Sequence, residues 1–316
     1  MTAPVSDDCP SVWTPQDFPE ESTWSFELNP PERQALIAHG RGRPLDDLQQ
    51  RLGAIATQWA SLLNDGPGFV RLRRFPLEAL SEWEVKRAYV GLGRLLGTPI
   101  GQDRNGSIIT HIRDERNPAR PGRTYQTNLR QDFHCDASDL VGLLCLQSAK
   151  NGGVSRIVSA HTVYNQMLRH DRHLVELMYE PMPWSRHPHT HPGTASYFLL
   201  APITEINGVP RIFFIPWYIR NSQLHATAPR LTEDQLAALA LMEQLANDSS
   251  LQIEMNFRPG DIQLLNNSRV LHSRESYEDH DNPDLRRHLL RLWLATDQSS
   301  TELLPTAPPG NRPGYA

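Results

Sequence analysis

The sequence predicts an α+β domain built on a double-sheet barrel, and the order of its local patterns is what points there. Helical periodicities fill roughly the first third of the chain. Short apolar or alternating runs bounded by Gly, Pro or Asn fill most of the rest, and two helical segments interrupt them.

The elements follow in order. Residues 1–31 are rich in Pro, Asp, Glu and Trp and read as an extended arm, after which PPERQ opens a helical stretch with Pro31 suited to a first turn. Leu45, Leu48, Leu52, Ile55 and Trp59 recur every three or four residues, which predicts an amphipathic helix over 45–63. GPGFVRLRRFP, from Gly66 to Pro76, is a turn, a β-rich run and a Pro terminator, and so a strand. Leu80, Trp83, Val85, Tyr89, Leu92 and Leu95 predict a second helix over 80–97, broken by Gly97 and Pro99. Sheet is expected at 141–149, 155–160, 211–216, 251–257, 261–267 and 287–295. The interrupting helices are expected at 161–178 and at 232–246, the latter opening on a Thr-Glu-Asp cap.

A chain of 316 residues with 39% hydrophobic and 21% charged residues can bury one large core, so a single domain over 1–316 is expected, with a Pro-rich tail at 302–316. A formal charge of -5 without a run of like charges leaves no basic field for nucleic acid. Three cysteines, Cys9, Cys135 and Cys145, are too few for a disulfide scaffold and suit a reducing compartment. The N-terminus lacks the basic start and apolar core of a secretory signal, and no apolar run reaches the roughly 20 residues that span a bilayer. A cytoplasmic protein with no membrane partner is expected, and a homo-oligomer is left open.

The chemistry starts at DFHCDASD, where His134 and Asp136 are two residues apart. On an extended strand such residues share a face, so an imidazole and a carboxylate can converge on one ion. With a distal histidine they make the facial triad of non-haem Fe(II) oxygenases; alone, an HxD is as readily a solvated strand end. Further on, Pro259-Gly260 turns into a strand that Asn266 and Asn267 close, and His272 follows. The next strand carries Arg287 and Arg291 on one face. Guanidinium groups inside a barrel require an anion, which a dicarboxylate would supply; facing solvent, or pairing with Asp and Glu, they would not.

Other features divide between function and packing. His187, His189 and His191 alternate like a metal-binding tract, but two prolines interrupt them, so a lid loop is the expectation. Cys135 should point away from its neighbours' face, and Cys145 should act as a small hydrophobe. Tyr125, Asn128 and Arg130, and likewise Trp217, Tyr218 and Arg220, are candidates for lining a pocket. Gly152-Gly153 lacks the Lys of a phosphate loop.

HCD at 134–136, NGGVSRIVSA at 151–160, GDIQLLNNSRVLH at 260–272 and RRHLLRLWL at 286–294 resemble, in order and spacing, the taurine dioxygenase superfamily of Fe(II)/2-oxoglutarate-dependent oxygenases, which includes gamma-butyrobetaine hydroxylase and clavaminate synthase relatives. WSFEL at 24–28 and GFVRLRRFP resemble its N-terminal part. The resemblance implies a double-stranded β-helix, a jelly-roll, cupin-like barrel with flanking helices and lid insertions. It implies iron on His134, Asp136 and His272, and the distal carboxylate of 2-oxoglutarate on Ser155 and Arg287. Arg291 sits where some members place a second arginine for the cosubstrate or an anionic substrate. The implied reaction consumes 2-oxoglutarate and O2, releases succinate and CO2, and oxidises an unactivated C–H of a small amino-acid-like, betaine-like or natural-product substrate. Hydroxylation is expected over halogenation because Asp136 occupies the position that a halide would need. Two other readings are a cupin-like metalloenzyme that does not use 2-oxoglutarate, from which the Arg287 assignment discriminates, and a non-catalytic metal-binding sensor, against which the intact triad and the Ser155 and Arg287 set argue.

Overall fold

The computed structural model describes residues 2–103, 105–115, 124–186 and 196–296. The His187, His189 and His191 tract and the 302–316 tail lie outside these residues.

Two sheets face one another as the barrel. The larger runs in the order Ser25–Glu27, Phe69–Arg73, Ile262–Asn266, Leu140–Gln147, His288–Ala295 and Thr98–Pro99, with Ile109–Ile112 also paired to His288–Ala295. The smaller runs Gln252–Met255, Ser155–Ser159, Val270–Arg274 and Gln131–His134, antiparallel throughout. This is the double-stranded β-helix, and its strands alternate as a two-faced sheet must. On the Leu140–Gln147 strand, Leu140 and Leu144 pack toward the helices while Val141, Leu143 and Cys145 point into the barrel.

The helices Pro30–Gly40, Leu45–Asn64 and Glu82–Arg94 cover the outer face of the larger sheet. The first starts where it does because Asn29 and Glu32 cap each other reciprocally, Asn29 Oδ1 accepting from Glu32 N at 3.0 Å and Glu32 accepting from Asn29 N at 2.8 Å. The predicted stripe on Leu45–Asn64 is the buried one: Leu48, Leu52 and Trp59 are at most 1% exposed. Each such side chain contributes on the order of 1.5–3 kcal/mol by leaving water. Gly142 allows close approach of this layer, since a Cβ there would meet the Tyr89 hydroxyl at 2.5 Å.

Between Ser159 and Gln252 a long insertion builds its own core of Val163, Met167, Met178, Trp184, Leu239 and Met242, packed against Phe133, Cys135 and Leu271 of the barrel. Cys135 and Cys145 are buried, and Cys135 lies in this outer core as alternation expects. Two expectations are corrected here. The helix expected over 161–178 is two helices, Ala160–His170 and Arg172–Leu177, because extended Asp171 breaks the first and its carboxylate caps the second by accepting from His173 N at 2.9 Å. The strand expected over 211–216 stops at Ile212, and Pro216 opens the helix Pro216–Ser222. The N-terminal arm is extended with short 3-10 turns and lies along Ala160–His170. Among the described residues no helix is long and apolar enough to cross a membrane.

Candidate active site

The antiparallel pairing of Gln131–His134 with Val270–Arg274 sets His134 directly opposite His272. Their ring centroids are 4.2 Å apart. Asp136 lies just past the strand end in a turn that Asn267 holds, its Oδ1 accepting from Asp136 N at 2.9 Å while its Nδ2 donates to Ser138 O at 2.9 Å. Arg291 Nη1 donates to Asp136 Oδ1 at 2.9 Å, and Asp136 Oδ2 lies 3.9 Å from His272 Nε2. All three predicted ligands are buried and line one cavity.

Their protonation suits a metal. His134 Nδ1 lies 2.8 Å from Asp132 O, which places the ring proton on Nδ1 and leaves the Nε2 lone pair free of it. Burial pushes the pKa of both histidines down, that of His272 to about 3, so each is neutral near pH 7. Burial raises the Asp136 carboxyl, but the Arg291 guanidinium outweighs it and holds the group below the usual carboxylate range. The fit to iron is one of donor chemistry: two neutral imidazoles and a carboxylate whose Oδ2, though buried, has no hydrogen-bond partner among the described residues. The geometry is not closed around an ion. Among the described residues no three His, Cys, Asp or Glu side chains are drawn into a metal-binding cluster, and His134 Nε2 instead lies 3.0 Å from the side-chain amide of Gln131.

Ser155, Arg287 and Arg291 line the same cavity, which encloses about 440 Å³ with its mouth. Arg287 sits one residue before the strand His288–Ala295, and alternation puts it on the inner face with Leu289 and Arg291. Its main chain is tied down, N donating to Asp279 Oδ1 at 2.8 Å, and its guanidinium lies over Tyr277, 5.1 Å from the ring centroid. Arg287 Nη1 is buried with no partner among the described residues. The Ser155 hydroxyl is 3.2 Å from both side-chain polar atoms of Gln263. Arg291 is engaged otherwise than Arg287: besides Asp136 it donates from Nε to Gln102 Oε1 at 2.8 Å, and it packs over Trp293 and Tyr125.

Of the residues weighed as pocket lining, Tyr125 lines the cavity and Trp217 sets its ring against His134 with centroids 5.0 Å apart. Asn128 bonds the Tyr277 main chain, Arg130 pairs with Asp132 at the surface, and Arg220 pairs with Glu243. A second cavity, about 490 Å³ with its mouth, flanks the Asp136–Ser138 turn; of the predicted set it touches only Asp136. Sequence reasoning missed Gln131 and Arg274 as cavity residues. Arg274 was within reach, since it is two residues beyond His272 and alternation puts it on the ligand's face.

The chain matches the family described as taurine catabolism dioxygenase TauD, TfdA family, over residues 27–293. It is 29% identical over 303 residues to FR-33289 synthase of Streptomyces rubellomurinus (strain ATCC 31215), covering 90% of this chain and 88% of that one. It is 30% identical over 272 residues to the taurine hydroxylase-like protein SAT17 of Stachybotrys chartarum (strain CBS 109288 / IBT 7711), covering 81% of this chain and 68% of that one. Its fold is that of asparagine oxygenase solved with Fe(II), 2S,3S-3-hydroxyasparagine and succinate, with a TM-score of 0.69 at 15% identity over 90% of this chain and 97% of that one. It is likewise that of the non-heme iron oxygenase OrfP solved with Fe and alpha-ketoglutaric acid, with a TM-score of 0.65 at 16% identity over 90% and 98%. The chain therefore belongs to the TauD/TfdA family of dioxygenases.

Proposed function

We propose that the cavity between His134 and Arg287 is the active centre, with iron on His134, Asp136 and His272, and that it oxidises an unactivated C–H of a small amino-acid-like, betaine-like or natural-product substrate. The observation that carries this reading is the clustering in one cavity of buried groups without hydrogen-bond partners among the described residues, Asp136 Oδ2 and Arg287 Nη1 among them. Burying such groups without partners is costly unless a ligand completes them. When bound, iron and 2-oxoglutarate activate dioxygen with release of succinate and CO2.

Every other part is played by side chains. The Asp132 carbonyl holds the His134 tautomer, so that Nε2 is the donor offered to iron. Arg291 occupies Asp136 Oδ1, so Oδ2 is the oxygen that would be offered to iron. Arg287 presents a fork matched to the distal carboxylate, and Ser155 adds a hydroxyl donor. Leu143, Phe257 and Leu289 wall the site, and Trp217 covers His134, which keeps water from the reacting centre. Gln131 must release His134 Nε2 for the metal to bind. The solved oxygenase with 3-hydroxyasparagine supports an amino-acid-like substrate. A single domain over 1–316 and a cytoplasmic setting without nucleic-acid or membrane partners complete the reading.

The test is a succinate-release screen of iron-loaded protein against amino acids, betaines and natural-product scaffolds. Stimulated succinate that disappears in Asp136→Ala supports the proposal. If no absorbance band forms on anaerobic addition of Fe(II) and 2-oxoglutarate, the site does not bind them together and the proposal fails.

A further inference from the structure

The cavity holds one more guanidinium than iron ligation and the Arg287–Ser155 pair require. Arg274 is 6% exposed, points inward two residues beyond His272, and stands opposite Ser155 in the register of its neighbouring strand. Its donors are divided. Nη2 donates to the carbonyls of Thr127, at 3.0 Å, and Leu129, while Nε donates to Glu275 O at 3.3 Å. Nη1 is buried and has no partner among the described residues, and the same holds for Nη1 of Arg287.

The two arginines flank one ring. Arg274 lies 4.9 Å and Arg287 5.1 Å from the Tyr277 centroid. Tyr277 in turn grips the segment that Arg274 holds: its N donates to Asn128 O at 3.0 Å, and Asn128 Nδ2 donates to its O at 3.2 Å. That segment runs straight into the strand Gln131–His134, where Gln131 sits 3.0 Å from the Nε2 that must bind iron. Two like charges in one buried cavity repel until an anion lies between them.

Resting on the proposed function, we propose that Arg274 is a positioning residue that couples the distal-carboxylate seat of 2-oxoglutarate to the Thr127–Leu129 segment. A dicarboxylate at Arg287 removes the repulsion between the two guanidiniums and gives Arg274 Nη1 an acceptor, a further contact that steadies its hold on both carbonyls. Cosubstrate binding thereby fixes the segment leading to Gln131 and His134.

Hydrogen exchange of the full-length protein, held anaerobically with Fe(II) and compared with and without 2-oxoglutarate, reads this directly. In the wild type, amides across residues 127–134 should exchange about tenfold more slowly once 2-oxoglutarate is added, the effect of one further charge-assisted contact. Arg274→Lys keeps the charge but cannot hold two carbonyls and face the anion together. It should still form the Fe(II)–2-oxoglutarate absorbance band and lose the added protection. Arg274→Gln should lose it too, with the 2-oxoglutarate Kd raised about tenfold. If the band forms in the wild type but exchange across 127–134 does not change, or if Arg274→Lys keeps the protection, the coupling is wrong while the proposed function stands. The wild-type measurement decides even if Arg274→Gln fails to fold. Absence of the band in the wild type would instead strike the proposed function itself.

Discussion

Two regions of this protein bury polar side chains and treat them in opposite ways. Where the N-terminal arm crosses the helix Ala160–His170, the buried polar groups find protein partners. His161 Nδ1 is 2.6 Å from Ser11 Oγ and its Nε2 is 2.8 Å from Pro210 O. Thr162 Oγ1 accepts from Trp13 N at 2.9 Å and donates to Trp13 O at 2.8 Å, and Asn165 brackets the Val5 main chain in the same manner at 2.9 and 2.8 Å. In the barrel cavity, Asp136 Oδ2, His272 Nδ1, Arg274 Nη1 and Arg287 Nη1 are buried without partners among the described residues. Unpartnered groups elsewhere, such as Trp59 Nε1, stand outside that cavity. Paired buried polarity is scaffold, and clustered unpaired polarity awaits a ligand.

If that contrast is right, substitutions should separate into loss of chemistry in one region and loss of stability in the other. The largest effect belongs to Asp136→Ala, which should cut succinate formation by at least ~100-fold and strip iron measured by metal analysis, since it removes a ligand outright. Arg287→Gln should come next, raising the KM for 2-oxoglutarate by about 10- to 100-fold, the size of a lost charged hydrogen bond. A wild-type KM there would mean that Arg287 does not seat the distal carboxylate.

His161 tests the other region. Burial holds its pKa at about 4, below the ordinary 6.5. As pH falls through that window the unfolded chain takes up the proton first, so the stability this neutral histidine confers is complete above 6.5 and lost toward 4. Urea unfolding of His161→Gln should show a shallower loss across those values, by up to about 1.4 kcal/mol per pH unit. Near pH 7 the variant should be destabilised by roughly 1–3 kcal/mol with unchanged 2-oxoglutarate affinity. A shifted affinity would mean that the two regions are not independent. The smallest effect is Ser155→Ala, expected to raise the KM for 2-oxoglutarate about threefold to tenfold, because one neutral donor is lost beside a retained arginine.

Much of this was legible in the linear chain. The helix at Leu45–Asn64 announces itself by its stripe, and the one at Glu233–Ala246 by its Thr232 cap. His134, Asp136, His272, Ser155, Arg287 and Arg291, assigned from motif and resemblance, all reach one cavity. What escaped has a common cause. The break at Asp171 depends on one residue choosing an extended backbone to cap the next helix, which a continuing apolar period conceals. The strand ending at Ile212 reads on through three more apolar residues, Phe213, Phe214 and Ile215, whose burial comes from the insertion core rather than from a ladder.

The sequence by itself determined the donor set and its spacing, because alternation along a strand is a local property that two residues suffice to express. Only the tertiary structure decided which donors face which. That His272 lies against His134, that Arg291 takes one oxygen of Asp136, and that Arg274 and Arg287 meet across Tyr277 all follow from register between strands far apart in the chain. A shift of register by one residue would turn each of these side chains to the opposite face.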